Sequence, residues 1–318
     1  VAMVVVGLWL GRGHYIQVFN KAVGRAPEID DGDEIMSYRW AVCGLAGGIL
    51  IMSVWLWVMG TPAWVALIFI IVALLIFIGI TRIIAEAGLA VVRAPMPAPD
   101  LVILGFGSEL VGPTGVWNLS LAYMWAADVR VFVLGTCTNG LKLIQEMEPK
   151  LRKVVFWAIL LALLIGSLGS IWMIFHMAYQ HGGVNLNNWF FKGAPETAYN
   201  NALRNIEPSG VYWPGWSFFA GGGLTMVLMM WARQKFPWWP VHPIGLPIGA
   251  NGMMNSVWFS VFLAWGLKKT VLRFGGVAVY RRSQVFFLGM ICGQMSCNGL
   301  WLVIDYFTGK VGNTIFWI

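Results

Sequence analysis

The sequence predicts an all-α polytopic membrane protein, with about six full spanning helices and two hairpin segments broken by Gly and Pro. Three observations carry this. Of 318 residues, 58% are hydrophobic and only 11% are Asp, Glu, Lys or Arg, against about 25% charged residues in soluble domains. The apolar residues come in runs of roughly the 20 residues that cross a bilayer as a helix. The basic residues gather in short segments between those runs, as the positive-inside rule requires. A soluble enzyme, a disordered tail and a nucleic-acid module are excluded by this composition. The net charge of +7 therefore reads as membrane orientation, with the lipid bilayer as partner and no nucleic acid.

Taken in order, Val1–Leu10 reads as the end of a span whose beginning is missing, since no Met opens the chain. A longer protein with a missing N-terminal half is expected. Trp40–Gly60 and Pro62–Ile80 are the next spans, followed by Val154–Met177, Trp216–Ala232 and residues 285–308. Lys and Arg crowd residues 11–39, 136–153 and 267–284, which are expected as cytoplasmic loops. The segment 178–215 has only Lys192 and Arg204 and is expected as an extracytoplasmic loop, with a short helix around 197–205. The localisation that fits is that of an integral membrane protein.

This orientation forces residues 94–135 and 236–266 to enter the membrane and return. Both are dense in helix breakers, Pro95 to Gly115 in the first and Pro237 to Gly252 in the second. Broken backbone in hydrocarbon leaves N–H and C=O groups unpaired unless protein or a polar cavity surrounds them. In secondary transporters such interrupted segments mark the binding site. A duplicated plan follows: a first helical unit over 1–135, a second over 154–266, and a last span over 285–308.

Several polar groups fall inside these segments. Arg82 and Glu86 are four apart, so one helical turn pairs them, either as a structural ion pair or as a gate. Glu109 stands between Gly107 and Gly112–Pro113; there it can meet unwound backbone and hold a cation or proton, or cap a half-helix. Asp128 lies near the end of the first broken segment. In the second, Asn251 and Asn255 share a helical face, and Ser256 follows; such groups either contact a polar solute or join helices. Together Glu109, Asp128, Asn251, Asn255 and Ser256 are the expected solute and ion pathway.

Other chemistry is thinly represented. Cys43, Cys137, Cys292 and Cys297 have neither disulfide nor zinc spacing. No His/Cys cluster exists, so no metal site and no cofactor are expected. The phosphate-loop and nucleophile-elbow motifs are absent, and no nucleophile, base and orienter assemble. The chain is not expected to be an enzyme.

The stretches Asp33–Arg39, Thr81–Arg82 with Ala85–Gly88, Trp238–Gly245 and Met254–Trp258 resemble an uncharacterised family of bacterial polytopic membrane proteins, itself similar to the oligopeptide transporter superfamily. The resemblance covers nearly all 318 residues, as the C-terminal half of a protein roughly twice as long. It implies a proton-driven secondary carrier for a small polar solute, a peptide or a metal chelate. The competing expectation is a structural or cofactor-holding subunit of a larger membrane complex, with His176 as a lone ligand to a haem or chlorophyll. Self-association into a homo-oligomer is open to either.

Overall fold

The computed structural model describes residues 1–310 other than 27, 33, 89–93, 127–132, 145–147, 251 and 253. The chain is 82% helical, and no strand occurs among the described residues. It is an all-α polytopic membrane protein. It divides into two compact units, Val1–Asn251 and Gly252–Ile318.

The first unit is built around α4, Ala63–Ala87. This helix is apolar nearly all round until Thr81, which is the pattern of a helix buried by its neighbours. Val65, Ala66, Phe69, Ile70, Ala73, Ile76, Phe77, Ile80, Ile83 and Ile84 are buried at helical spacing. α3, Tyr38–Val58, packs beside it, and Met59–Pro62 form the turn between the two. At the other end α4 stops at Gly88, whose N–H donates to Ile84 O at 2.9 Å. α1, Ala2–Leu10, and α2, Arg12–Ala22, precede α3; Met3 of α1 reaches the same core.

The segment after α4 breaks into three pieces. α5 is Ala98–Phe106, α6 is Ser108–Val111 and α7 is Pro113–Ala126. Pro97 and Pro99 stand at the start of α5, where the missing N–H costs nothing. Gly107 and Gly112 separate the pieces with φ of +86° and +75°, a backbone that side-chain-bearing residues rarely adopt. α5 and α7 pack against each other and form a hairpin with α6 at its tip. Val102, Ile103, Val116, Leu119 and Ala122 bury its inner faces.

The tip lies level with the α3–α4 turn. Asn118 donates from Nδ2 to Met59 O at 2.9 Å and to Thr61 Oγ1 at 3.0 Å. The Phe106 ring meets Trp64, at the start of α4, with centroids 5.4 Å apart. Farther along, Trp125 of α7 packs edge-on against Phe69 of α4 at 5.6 Å. The hairpin therefore runs only part-way along α4, as two half-helices.

α8, Leu134–Leu143, then packs against α4. α9, Pro149–His181, is a long apolar helix whose most hydrophobic window has no buried residue within the unit, as suits a lipid-facing span. α10, Ala194–Asn205, lies on α7, and α11, Trp213–Lys235, is the next span. α12, Gly245–Gly249, is one short turn among the Pro and Gly residues.

The second unit is helical from Met254. α13, Met254–Thr270, passes through a π-helical turn at Val271–Gly275 into α14, Gly276–Thr308. Residues 254–308 form one helical stretch of 55 residues, so the loop expected over 267–284 is helix and the last span starts well before 285. Lys and Arg are good helix formers, and no Pro interrupts them here. Lys269 lies over the Trp265 ring at 5.0 Å and Lys268 over Tyr280 at 5.6 Å, both along the helix. The broken part of 236–266 is accordingly confined to residues before 254.

Among the described residues, five helical stretches are long and apolar enough to cross a membrane, against the six expected. The difference is the N-terminal run, where α1 has only 9 residues.

Candidate functional site in the half-helix hairpin

α5 is a short helix whose C-terminal carbonyls have few partners of their own. Ile103 O accepts from Gly107 N at 2.9 Å. Leu104 O accepts from Tyr212 N at 3.1 Å, and Gly105 O from Trp216 Nε1 at 2.8 Å. The start of α11 therefore caps the half-helix. Beside it the strap 207–210 clasps the tip: Ser108 Oγ donates to Glu207 O at 2.7 Å and accepts from Ser209 N at 3.0 Å. The broken backbone is paired within the protein, as hydrocarbon surroundings demand.

The same strap brings α10 onto the hairpin. Ala198 and Ala202 are buried one turn apart, and Tyr199 meets Trp117 of α7 with ring centroids 5.0 Å apart. Thr197, Asn200, Asn201 and Arg204 recur at helical spacing on α10. With Asp100 of α5 and Tyr123 of α7 they line a polar pocket of about 250 Å³.

Asp100 lies in the first turn of α5, where a carboxylate suits the helix dipole, yet it makes no capping bond. Its Oδ1 accepts from Asn201 Nδ2 at 3.3 Å. Asn201 is itself oriented, since its Oδ1 accepts from Asn205 Nδ2 at 2.9 Å. Six residues separate Asp100 from Phe106 at the tip end, about 9 Å along a helix. The carboxylate is thus set back into the fold, half-buried, at the lining of the pocket.

The expected site residues fall elsewhere. Glu109 is on α6 at the exposed tip; its backbone N–H donates to Ser209 O at 3.3 Å, and it does not line the pocket. Asn255 and Ser256 are exposed in the first turn of α13, in the second unit. Asp128 and Asn251 lie outside the described residues. Arg82 and Glu86 form an ion pair near the far end of α4, and Arg82 Nη1 also donates to Met3 O at 3.4 Å, tying α4 to α1. No group of three or more His, Cys, Asp or Glu fit for a metal ion occurs among the described residues.

Sequence reasoning passed over the α10 side of the pocket. The signal was present in the polar spacing 197, 200, 201 and 204, one face of a helix, but an Asn-rich stretch between spans reads first as a solvated loop. A larger hollow of about 540 Å³ lies at the end of α9, lined by Met173, Met177, Trp189 and Phe190 among others. Its apolar walls suit lipid chains rather than a polar solute.

No curated protein and no solved structure matches the chain. One family matches residues 1–317, the family of unknown function DUF6785, and the chain belongs to it.

Proposed function

We propose that this chain is a secondary membrane carrier for a small polar solute, with the pocket between α5, α7 and α10 as its binding site. One observation carries the reading. A polar pocket with a half-buried carboxylate is built onto two half-helices in a chain that is otherwise an apolar membrane fold. Ionisable groups set into membrane segments are costly and mark pathways, and half-helices at such sites are a recurrent transporter device. Asp100 replaces Glu109 as the group expected to meet the solute or coupling ion. Proton coupling and a bacterial cytoplasmic membrane complete the proposal, as the resemblance of the sequence stretches to an oligopeptide-transporter-like family implies.

The test is uptake into proteoliposomes containing the full-length protein, using labelled small polar solutes with and without a proton gradient. Gradient-dependent accumulation that Asp100→Asn abolishes is the expected result. Folded protein that accumulates nothing, or uptake indifferent to Asp100, overturns the reading.

A further inference from the structure

We infer that the ligand of this pocket is a small zwitterion, a molecule carrying one ammonium and one carboxylate close together. The inference rests on the carrier reading for its biological meaning, but it concerns binding alone.

The pocket holds one formal negative charge, Asp100, and one formal positive charge, Arg204. No salt bridge joins them, and no hydrogen bond engages the Arg204 guanidinium among the described residues. Among the described residues Asp100 takes only the bond from Asn201, which leaves an oxygen for a ligand. Asn201 and Arg204 are three apart on α10 and so present neighbouring positions to the same space.

Each simpler class of ligand fails on charge. A bare cation attracted by Asp100 meets the fixed charge of Arg204. A bare anion attracted by Arg204 meets Asp100. A neutral solute leaves the half-buried Asp100 carboxylate without a counter-ion and makes no use of the exposed Arg204 guanidinium at the pocket rim. A zwitterion satisfies both at once, its ammonium on the Asp100 carboxylate and its carboxylate on the forked donors of Arg204. Tyr123, Thr197 and Asn200 then supply hydroxyl and amide partners around it. Size narrows the class further. At about 250 Å³ the pocket falls below the roughly 300–1,000 Å³ of drug-sized sites. It suits a single amino acid rather than a chain of several.

The experiment is calorimetric titration of the purified full-length protein with glycine, L-alanine, L-serine and L-glutamine. Each is paired with its decarboxylated amine and its deaminated acid; for L-serine these are ethanolamine and 3-hydroxypropanoate. At least one amino acid should bind about tenfold or more tighter than either of its halves. In Asp100→Asn the preference over the acid should vanish, and in Arg204→Gln the preference over the amine. Asp100→Asn is near-isosteric and Arg204→Gln shortens an exposed side chain while keeping it polar; unfolding curves check that each variant folds. Amines or acids that bind as tightly as the amino acids overturn the inference, as does folded protein that binds none of the four. The two proposals fail separately. Amino-acid binding without accumulation in proteoliposomes removes the carrier and keeps the zwitterion site. Asp100-dependent uptake of a sugar or amine without amino-acid binding does the reverse.

Discussion

Replacing Gly107 by Ala should detach the strap from the hairpin tip. Gly107 has φ +86° and ψ 142°, a region that costs a side-chain-bearing residue about 1–3 kcal/mol. A Cβ there would stand 2.7 Å from Ser209 O and 2.8 Å from Gly210 C. Those are backbone atoms, so the strap itself must move. Moving it strains the two Ser108 Oγ bonds to Glu207 O and Ser209 N, and the bond from Glu109 N to Ser209 O. At about 0.5–1.5 kcal/mol for each of these three bonds, and with the backbone term, the expected loss is about 2.5–7.5 kcal/mol. That is a large share of the roughly 5–15 kcal/mol that holds a typical domain together. Equilibrium unfolding of the purified protein in mild detergent reads it directly. Gly210→Ala is the control, since a Cβ at Gly210 meets nothing within 4 Å and should cost under about 1 kcal/mol. Equal stability of the two variants would refute the view that the strap bears on Gly107.

Three further outcomes test the rest of the framework. Asn118→Leu strips the donor from Met59 O and Thr61 Oγ1; it should cost about 1–3 kcal/mol and lower the unfolding midpoint in the same assay. Ala202→Leu places a larger side chain at a buried position of α10. Overpacking of about 1–3 kcal/mol should shift α10 and weaken ligand binding more than it weakens the fold, which calorimetry and unfolding measured together would show. Arg82→Gln breaks an ion pair whose side chains are 37% and 40% exposed. Screened pairs of that kind contribute about 0–1 kcal/mol, so a small stability change with unaltered ligand affinity is expected; a lost affinity would make the pair a gate.

The spans were legible because their signal is long. α3, α4, α9 and α11 each carry enough apolar residues to outweigh any local propensity. The breaks around Gly107 and Gly112 were legible for the opposite reason, since Gly and Pro act within one residue. What misled was charge. Lys268, Lys269, Arg273, Arg281 and Arg282 suggest a loop, but the positive-inside rule counts charges at a membrane face and says nothing of backbone state. Those residues are helical in the second unit. The site was harder, because a pocket is a relation between segments about 100 residues apart. Asp100 meets Asn201, and Ser108 meets Ser209. Neither half announces its partner.

The same physics explains why Glu109 stands out in the sequence and Asp100 does not. Glu109 drew attention because it sits between two helix breakers, and breakers suggest unwound backbone that a ligand might use. In a hairpin, however, breakers collect where the chain turns, and here the turn lies level with the Met59–Pro62 corner, at the end of the spans. A carboxylate exposed at that level needs no compensation. Asp100 sits less than two helical turns farther in, where Pro97 and Pro99 start α5 rather than break it, and is half-buried. Keeping a charge there requires an oriented amide from another helix, and Asn205 and Asn201 supply it. In a chain with so few ionisable residues, the informative carboxylate is the one whose burial obliges other side chains to arrange themselves around it.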